Sequence, residues 1–78
     1  MMKVEVRLFG FLRKYAPGIE DAFPRELDND ACVSDLIETL GIPEREPKII
    51  LLNGRHSDID ASLKNSDEVV LMTPIEGG

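Results

Sequence analysis

The residues best suited to chemistry lie at the end of the sequence. Thr73, Pro74, Ile75, Glu76, Gly77 and Gly78 follow an apolar run, Val69 to Met72, and close the chain on a Gly-Gly carboxylate. Pro74 has no backbone donor, so strand pairing is expected to stop there. The two glycines lack Cβ atoms and have little preferred conformation. Five residue steps from Thr73 to Gly78 give a reach of roughly 17 Å when extended. A tail that long and thin can enter a narrow channel in another protein and present an unshielded carboxylate there. A carboxylate becomes a useful electrophile only when one oxygen joins a good leaving group, so any chemistry at Gly78 needs an activating partner. The competing reading is a frayed terminus, the ordinary fate of last residues.

Other reactive side chains are sparse. Cys32 is the only cysteine; with no paired base it reads as a small structural thiol and not a nucleophile. His56, the only histidine, cannot complete a three- or four-ligand metal site alone. Asp58 and Asp60 read as solvated turn residues, because a calcium loop needs several more oxygens at defined spacing. Phe9, Phe11 and Tyr15 could mimic a nucleic-acid stacking platform. The formal charge of -6, from 15 acidic and 9 basic residues, opposes that, and it equally disfavours an anionic membrane. Core or partner packing is the expectation for these aromatics, and partners are expected to present basic surfaces.

With 78 residues, the chain reads as a single small domain, 1–78, with 73–78 as a mobile functional tail. A lone cysteine suits a reducing cytosol and leaves no disulfide within the chain. Met1 leads into a strand-like segment and no signal peptide is legible, so the expected location is cytoplasmic.

The elements that must carry the tail follow from periodicity. Lys3 to Phe9 alternates, with Val4, Val6 and Leu8 on one side and Lys3, Glu5 and Arg7 on the other, as in a half-buried strand. Phe11 to Tyr15 suggests a short helical turn, and Pro17-Gly18 a turn. Phe23 to Leu27 is a weaker strand, placed at an edge by Pro24. Val33, Leu36, Ile37 and Leu40 form one apolar helical stripe, which Gly41 and Pro43 terminate. Ile49 to Leu52 is an apolar strand, expected to be buried on both faces or to lie at an interface. Asn53-Gly54 marks a hairpin turn, and Arg55 to Ile59 a return strand. Ala61 to Asn65 is a loop or single helical turn that plants Leu63 in the core. Glu68 to Thr73 is the last strand, expected centrally and parallel to the first. A helix with one apolar stripe must lie across one face of the sheet.

In this order the pieces resemble the small ubiquitin-like sulfur carriers, the MoaD family of molybdopterin synthesis and its relative ThiS of thiamine synthesis. The resemblance rests on Val33-Ser34-Asp35-Leu36-Ile37, Leu40-Gly41-Ile42-Pro43, Leu52-Asn53-Gly54, Leu63-Lys64-Asn65-Ser66-Asp67-Glu68-Val69 and Pro74-Ile75-Glu76-Gly77-Gly78. The proline shortly before the glycine pair looks more like MoaD. Cys32 stands where the family often has Thr, and Ser66 where it often has Gly. The resemblance implies an α+β ubiquitin-like β-grasp: a mixed sheet of four to five strands with one main helix on one face.

It also implies a mechanism. A ubiquitin-activating-like adenylyltransferase of the MoeB/ThiF type uses ATP to adenylate Gly78. A sulfur donor displaces AMP to leave a thiocarboxylate. The tail then enters the large, MoaE-type subunit of molybdopterin synthase and gives its sulfur to a pterin precursor. The carrier itself is expected to bind no cofactor or metal. Val70, Met72, Pro74, Ile75, Glu76 and Gly77 are the expected partner contacts, with Val70 and Met72 on the open sheet face. Two alternatives share the first step: a ThiS-like carrier (or a tungsten-cofactor one), and a ubiquitin-like modifier joined through Gly78 to lysines. A binding module with an inert tail is the fourth reading.

Overall fold

The computed structural model describes residues 1–20 and 22–74. Five strands and one α-helix follow in the order β1 (Met2–Phe9), β2 (Ala22–Leu27), α1 (Val33–Thr39), β3 (Ile49–Leu52), β4 (Arg55–His56) and β5 (Glu68–Met72), with a 3-10 helix, Gly10–Tyr15, after β1. The strands form one mixed sheet in the spatial order β2-β1-β5-β3-β4. β5 runs parallel to β1, with Val6 opposite Val69 and Leu8 opposite Leu71. It runs antiparallel to β3, with Ile50 opposite Leu71. The expected ubiquitin-like β-grasp, with its last strand central beside the first, is the observed architecture.

Alternation decides the two faces. Met2, Val4, Val6 and Leu8 are buried while Lys3, Glu5, Arg7 and Phe9 are exposed. Val69 and Leu71 are buried between half-buried Glu68, Val70 and Met72. Val33, Leu36 and Ile37 of α1 join the same core cluster, and so do Leu12 and Leu63. Among the described residues the buried set is wholly apolar, so the sheet has one dry face under the helix.

Local signals explain the boundaries. α1 ends in a Schellman motif: Gly41 takes φ 77°, its N–H donates to Glu38 O and the Ile42 N–H to Ile37 O. Glycine pays no Cβ penalty there. Asn53 and Gly54 both have positive φ, 52° and 85°, which the two-residue hairpin requires. Pro24 lies on the edge strand β2, as expected. Arg25, opposite Val4, lays its guanidinium 5.6 Å from the Phe23 ring centroid, and its Nε is buried without a hydrogen-bond partner.

Several expectations need correction. The return strand covers only Arg55 and His56 and not Arg55 to Ile59. The following segment serves the helix instead: Ile59 O accepts from the Ser34 N–H and Ala61 O from the Val33 N–H. Those donors have no partner within the helix. Of the two readings of β3, burial on both faces is excluded, since only Ile50 is fully covered, and the interface reading stands. The last strand stops at Met72, one residue short of Thr73. Of core or partner packing for the aromatics, exposure of 79% at Phe11 and 36% at Phe9 excludes the first for these two, whereas Tyr15 packs against the core. Among the described residues, no helix is long and apolar enough to cross a membrane.

Candidate functional site

The face of the sheet away from α1 carries adjoining apolar residues near the point where the chain leaves β5. Register puts Phe9, Met72 and Ile49 side by side across three strands, and Arg7, Val70 and Leu51 in the next row. His56 extends that row on β4. Ile49, Leu51, Val70 and Met72 are each half-buried. The third row is charged, with Glu5 opposite Glu68. Arg7 bridges both carboxylates, with Nε 3.3 Å from Glu68 and Nη2 3.6 Å from Glu5. An apolar patch bounded by a polar rim is the composition of a docking surface.

Beyond Met72 the strand ends, and the Thr73 side chain packs against Gly10. Thr73 is half-buried and Pro74 exposed. The Phe11 N–H donates to Thr73 Oγ1 at 3.3 Å. The Tyr15 hydroxyl donates to Glu46 Oε2 at 2.9 Å, with Lys14 3.9 Å from the same oxygen. Burial first, then the Glu46 carboxylate, holds the Tyr15 phenol above its ordinary value. The bond joins the 3-10 helix to the loop that leads into β3, bracing the end of the sheet from which the tail departs.

Of the expected contacts, Val70 and Met72 share the open face and Pro74 lies exposed just past it. Ile75, Glu76, Gly77 and Gly78 lie outside the described residues. The sequence reading held an interface open for Ile49–Leu52 and partner packing for Phe9, but did not place Phe9, Ile49 and Leu51 on the open face. Extending the alternation of β1 by one step, and applying the same rule to Ile49–Leu52, would have found them. Thr73 had no such signal, because its partners lie 62 residues away.

The remaining candidates take ordinary places. Asp58 Oδ1 accepts from the Asp60 N–H in a turn. His56 is exposed. Cys32 is partly buried at the start of α1, its thiol 3.0 Å from Ser34 Oγ. Its N–H donates to Asp35 Oδ2 at 2.9 Å, and that bond, followed by the Cys32 thiol, lowers the Asp35 carboxyl below its ordinary range. Among the described residues no three His, Cys, Asp or Glu side chains converge on a metal-sized point. A concavity of about 660 Å³ lies at the opposite end of β1 beside Glu26, Asp28, Asp30, Asp35 and Glu38. It is a broad acidic cleft remote from the tail exit.

Comparison with known proteins agrees with this architecture. The Mut7-C ubiquitin family model matches residues 1–76. A putative molybdopterin converting factor, subunit 1, from Pyrococcus furiosus is 30% identical, covering 96% of this chain and 100% of its own, with a TM-score of 0.78. A chain in the complex of subunits 1 and 2 of the molybdopterin-converting factor from Helicobacter pylori is 31% identical over 99% of this chain and 100% of its own, TM-score 0.66. Small archaeal modifier protein 1 from Methanosarcina acetivorans is 25% identical over 100% of this chain and 98% of its own, TM-score 0.74. No curated protein matches the chain. The chain belongs to the Mut7-C ubiquitin family and has the MoaD/ThiS-like ubiquitin fold that its sequence motifs resemble.

Proposed function

We propose that this protein is a sulfur carrier of the MoaD kind, the small subunit of a molybdopterin synthase, working through Gly78. The observation that carries the reading is the continuity of the apolar open face with the tail base: Phe9, Met72 and Ile49 lie in one row, and the chain runs from Met72 through Pro74 toward Gly77-Gly78. A docking partner would cover the patch and receive the tail in one event.

The chemistry divides between the partners. On an adenylyltransferase, a Gly78 carboxylate oxygen attacks the α-phosphorus of ATP and pyrophosphate leaves. A sulfide-equivalent donor then attacks the acyl carbon, the bond to AMP breaks, and a thiocarboxylate results. This anionic sulfur is a soft nucleophile on a tethered arm. Docking to a large, MoaE-type subunit raises its effective concentration at the pterin precursor. The Helicobacter pylori likeness, a complex of subunits 1 and 2, supports a partner of that type. ATP belongs to the adenylyltransferase, and the carrier contributes its tail and its docking face.

Intact-mass analysis of protein from cells holding the pathway should find a fraction with one C-terminal oxygen replaced by sulfur. Deleting Gly78 should abolish that fraction and leave the melting temperature unchanged. Full synthase activity without Gly78 sinks the reading.

The likeness to a small archaeal modifier protein favours one second reading, a ubiquitin-like modifier joined through Gly78 to protein lysines. Both readings begin with the same adenylate. A carrier returns as the free carboxylate, whereas a modifier stays attached by an isopeptide bond. Denaturing gels of cell extract showing a ladder of Gly78-linked conjugates would support the modifier, and a single unconjugated band the carrier.

A further inference from the structure

Thr73 is held in a way that strand pairing does not require. β5 ends at Met72, whose Cα partner is Phe9. The next side chain is seated over Gly10. A Cβ at Gly10 would overlap Thr73 Oγ1 and come within 3.3 Å of Thr73 Cβ, so glycine is what admits the threonine. The φ of Gly10, 66°, excludes most other residues independently. Phe11 stands in the first turn of the 3-10 helix, where backbone donors have no partner inside the helix. Its N–H uses Thr73 Oγ1 as acceptor.

This seat therefore acts on direction. Pro74 follows immediately, with a fixed φ, and a proline restricts the residue before it to extended backbone. Thr73 seated on Gly10, with Pro74 beyond it, gives the departing chain a fixed origin beside the Phe9–Met72 row. Four residues follow Pro74 in the sequence, a reach of roughly 14 Å. With so short an arm, a displaced origin becomes a displaced Gly78.

We propose that Thr73 is a positioning residue: bonded to the Phe11 N–H and seated on Gly10, it sets where and in which direction the tail enters the active site of the adenylating partner. The inference rests on the adenylation of Gly78 in the function proposed above. It assigns no proton transfer to the hydroxyl and deals only with the placement of the carboxylate.

The test compares Thr73→Val, which keeps the β-branched shape and removes the acceptor, with Thr73→Ser, which keeps the acceptor. Carrier-dependent ATP–pyrophosphate exchange by a MoeB/ThiF-type adenylyltransferase separates kcat from KM. Thr73→Val should lower kcat about three- to tenfold with KM within about twofold, because misplacement acts on the reacting geometry and not on docking. Thr73→Ser should recover most of that loss. Amide hydrogen exchange should be faster at Phe11 in Thr73→Val and near normal in Thr73→Ser. Wild-type kcat in Thr73→Val overturns the inference and leaves the proposed function standing. So does an equal loss in both variants, or Phe11 exchange unchanged by Thr73→Val, since either removes the hydroxyl from the cause. Absence of exchange with the wild-type carrier overturns the proposed function and the inference together.

Discussion

At the scale of single residues, two departures from common family usage have physical consequences. Ser66 occupies φ 73°, the left-handed region that costs a non-glycine residue roughly 1–2 kcal/mol. Its N–H donates to Lys3 O at 2.8 Å, so the turn is pinned to β1 and cannot relax. Ser66→Gly should remove the strain while adding about 0.5–1 kcal/mol of unfolded-chain entropy. The expected net result, read by urea melts, is a gain of up to about 1 kcal/mol. Cys32 leaves α1 with Asp35 as its acidic partner at the start. Hydrogen bonds from Cys32 lower the folded-state Asp35 pKa below the ordinary 3.8. A lowered carboxylate pKa stabilises the fold above the unfolded value, and that contribution is lost as pH falls through the folded value. Asp35→Asn should therefore destabilise the protein at neutral pH. The gap between its melting temperature and that of wild type should close progressively below about pH 4.

At the scale of elements, β5 concentrates the division of labour. Its alternation sends Val69 and Leu71 into the core and Val70 and Met72 to the open face. Leu71→Ala should cost about 2–5 kcal/mol as a core truncation. Met72→Asp should cost far less stability but weaken partner binding, because docking would bury an unpaired charge. Thermal melts and pull-downs on the pair decide this, and the reverse pattern would mean that the two faces are exchanged. The faces of β1 and β5, the stripe of α1 and the Asn53-Gly54 turn were all legible, because each depends on residues near in sequence. The extent of β4 was not. Ile59 and Ala61 give their carbonyls to the Ser34 and Val33 N–H groups, and a demand made by a helix some 25 residues earlier leaves no local trace. The contact among Gly10, Phe11 and Thr73 was hidden for the same reason. Nothing near Gly10 in the sequence shows that its lack of a side chain is what receives the threonine.

At the scale of the whole molecule, charge is distributed unevenly. Glu26, Asp28, Asp30, Asp35 and Glu38 collect around the cleft at the start of β1, whereas the tail leaves beside Phe9 at its other end. With a net charge of -6, the field should hasten approach to a basic partner surface while the apolar patch governs how long the complex lasts. Stopped-flow association with a MoaE-type subunit should slow as salt is raised from about 0.05 to 0.5 M, with dissociation changing little. A dissociation rate rising as steeply as the association rate falls would move the charges into the centre of the interface.

The parallel pairing of the first and last strands also bears on how the domain is made. β5 lies between β1 and β3, so the β1–β2 hairpin and the β3–β4 hairpin share no strand contact without it. During synthesis both hairpins leave the ribosome before the strand that unites them. Until then each keeps an open edge, and neither the Phe9–Met72–Ile49 row nor the seat for Thr73 exists. On the docking role proposed above, a chain arrested before β5 would lack the row that a partner would grip, so partner binding would report that translation has reached the strand leading to the tail.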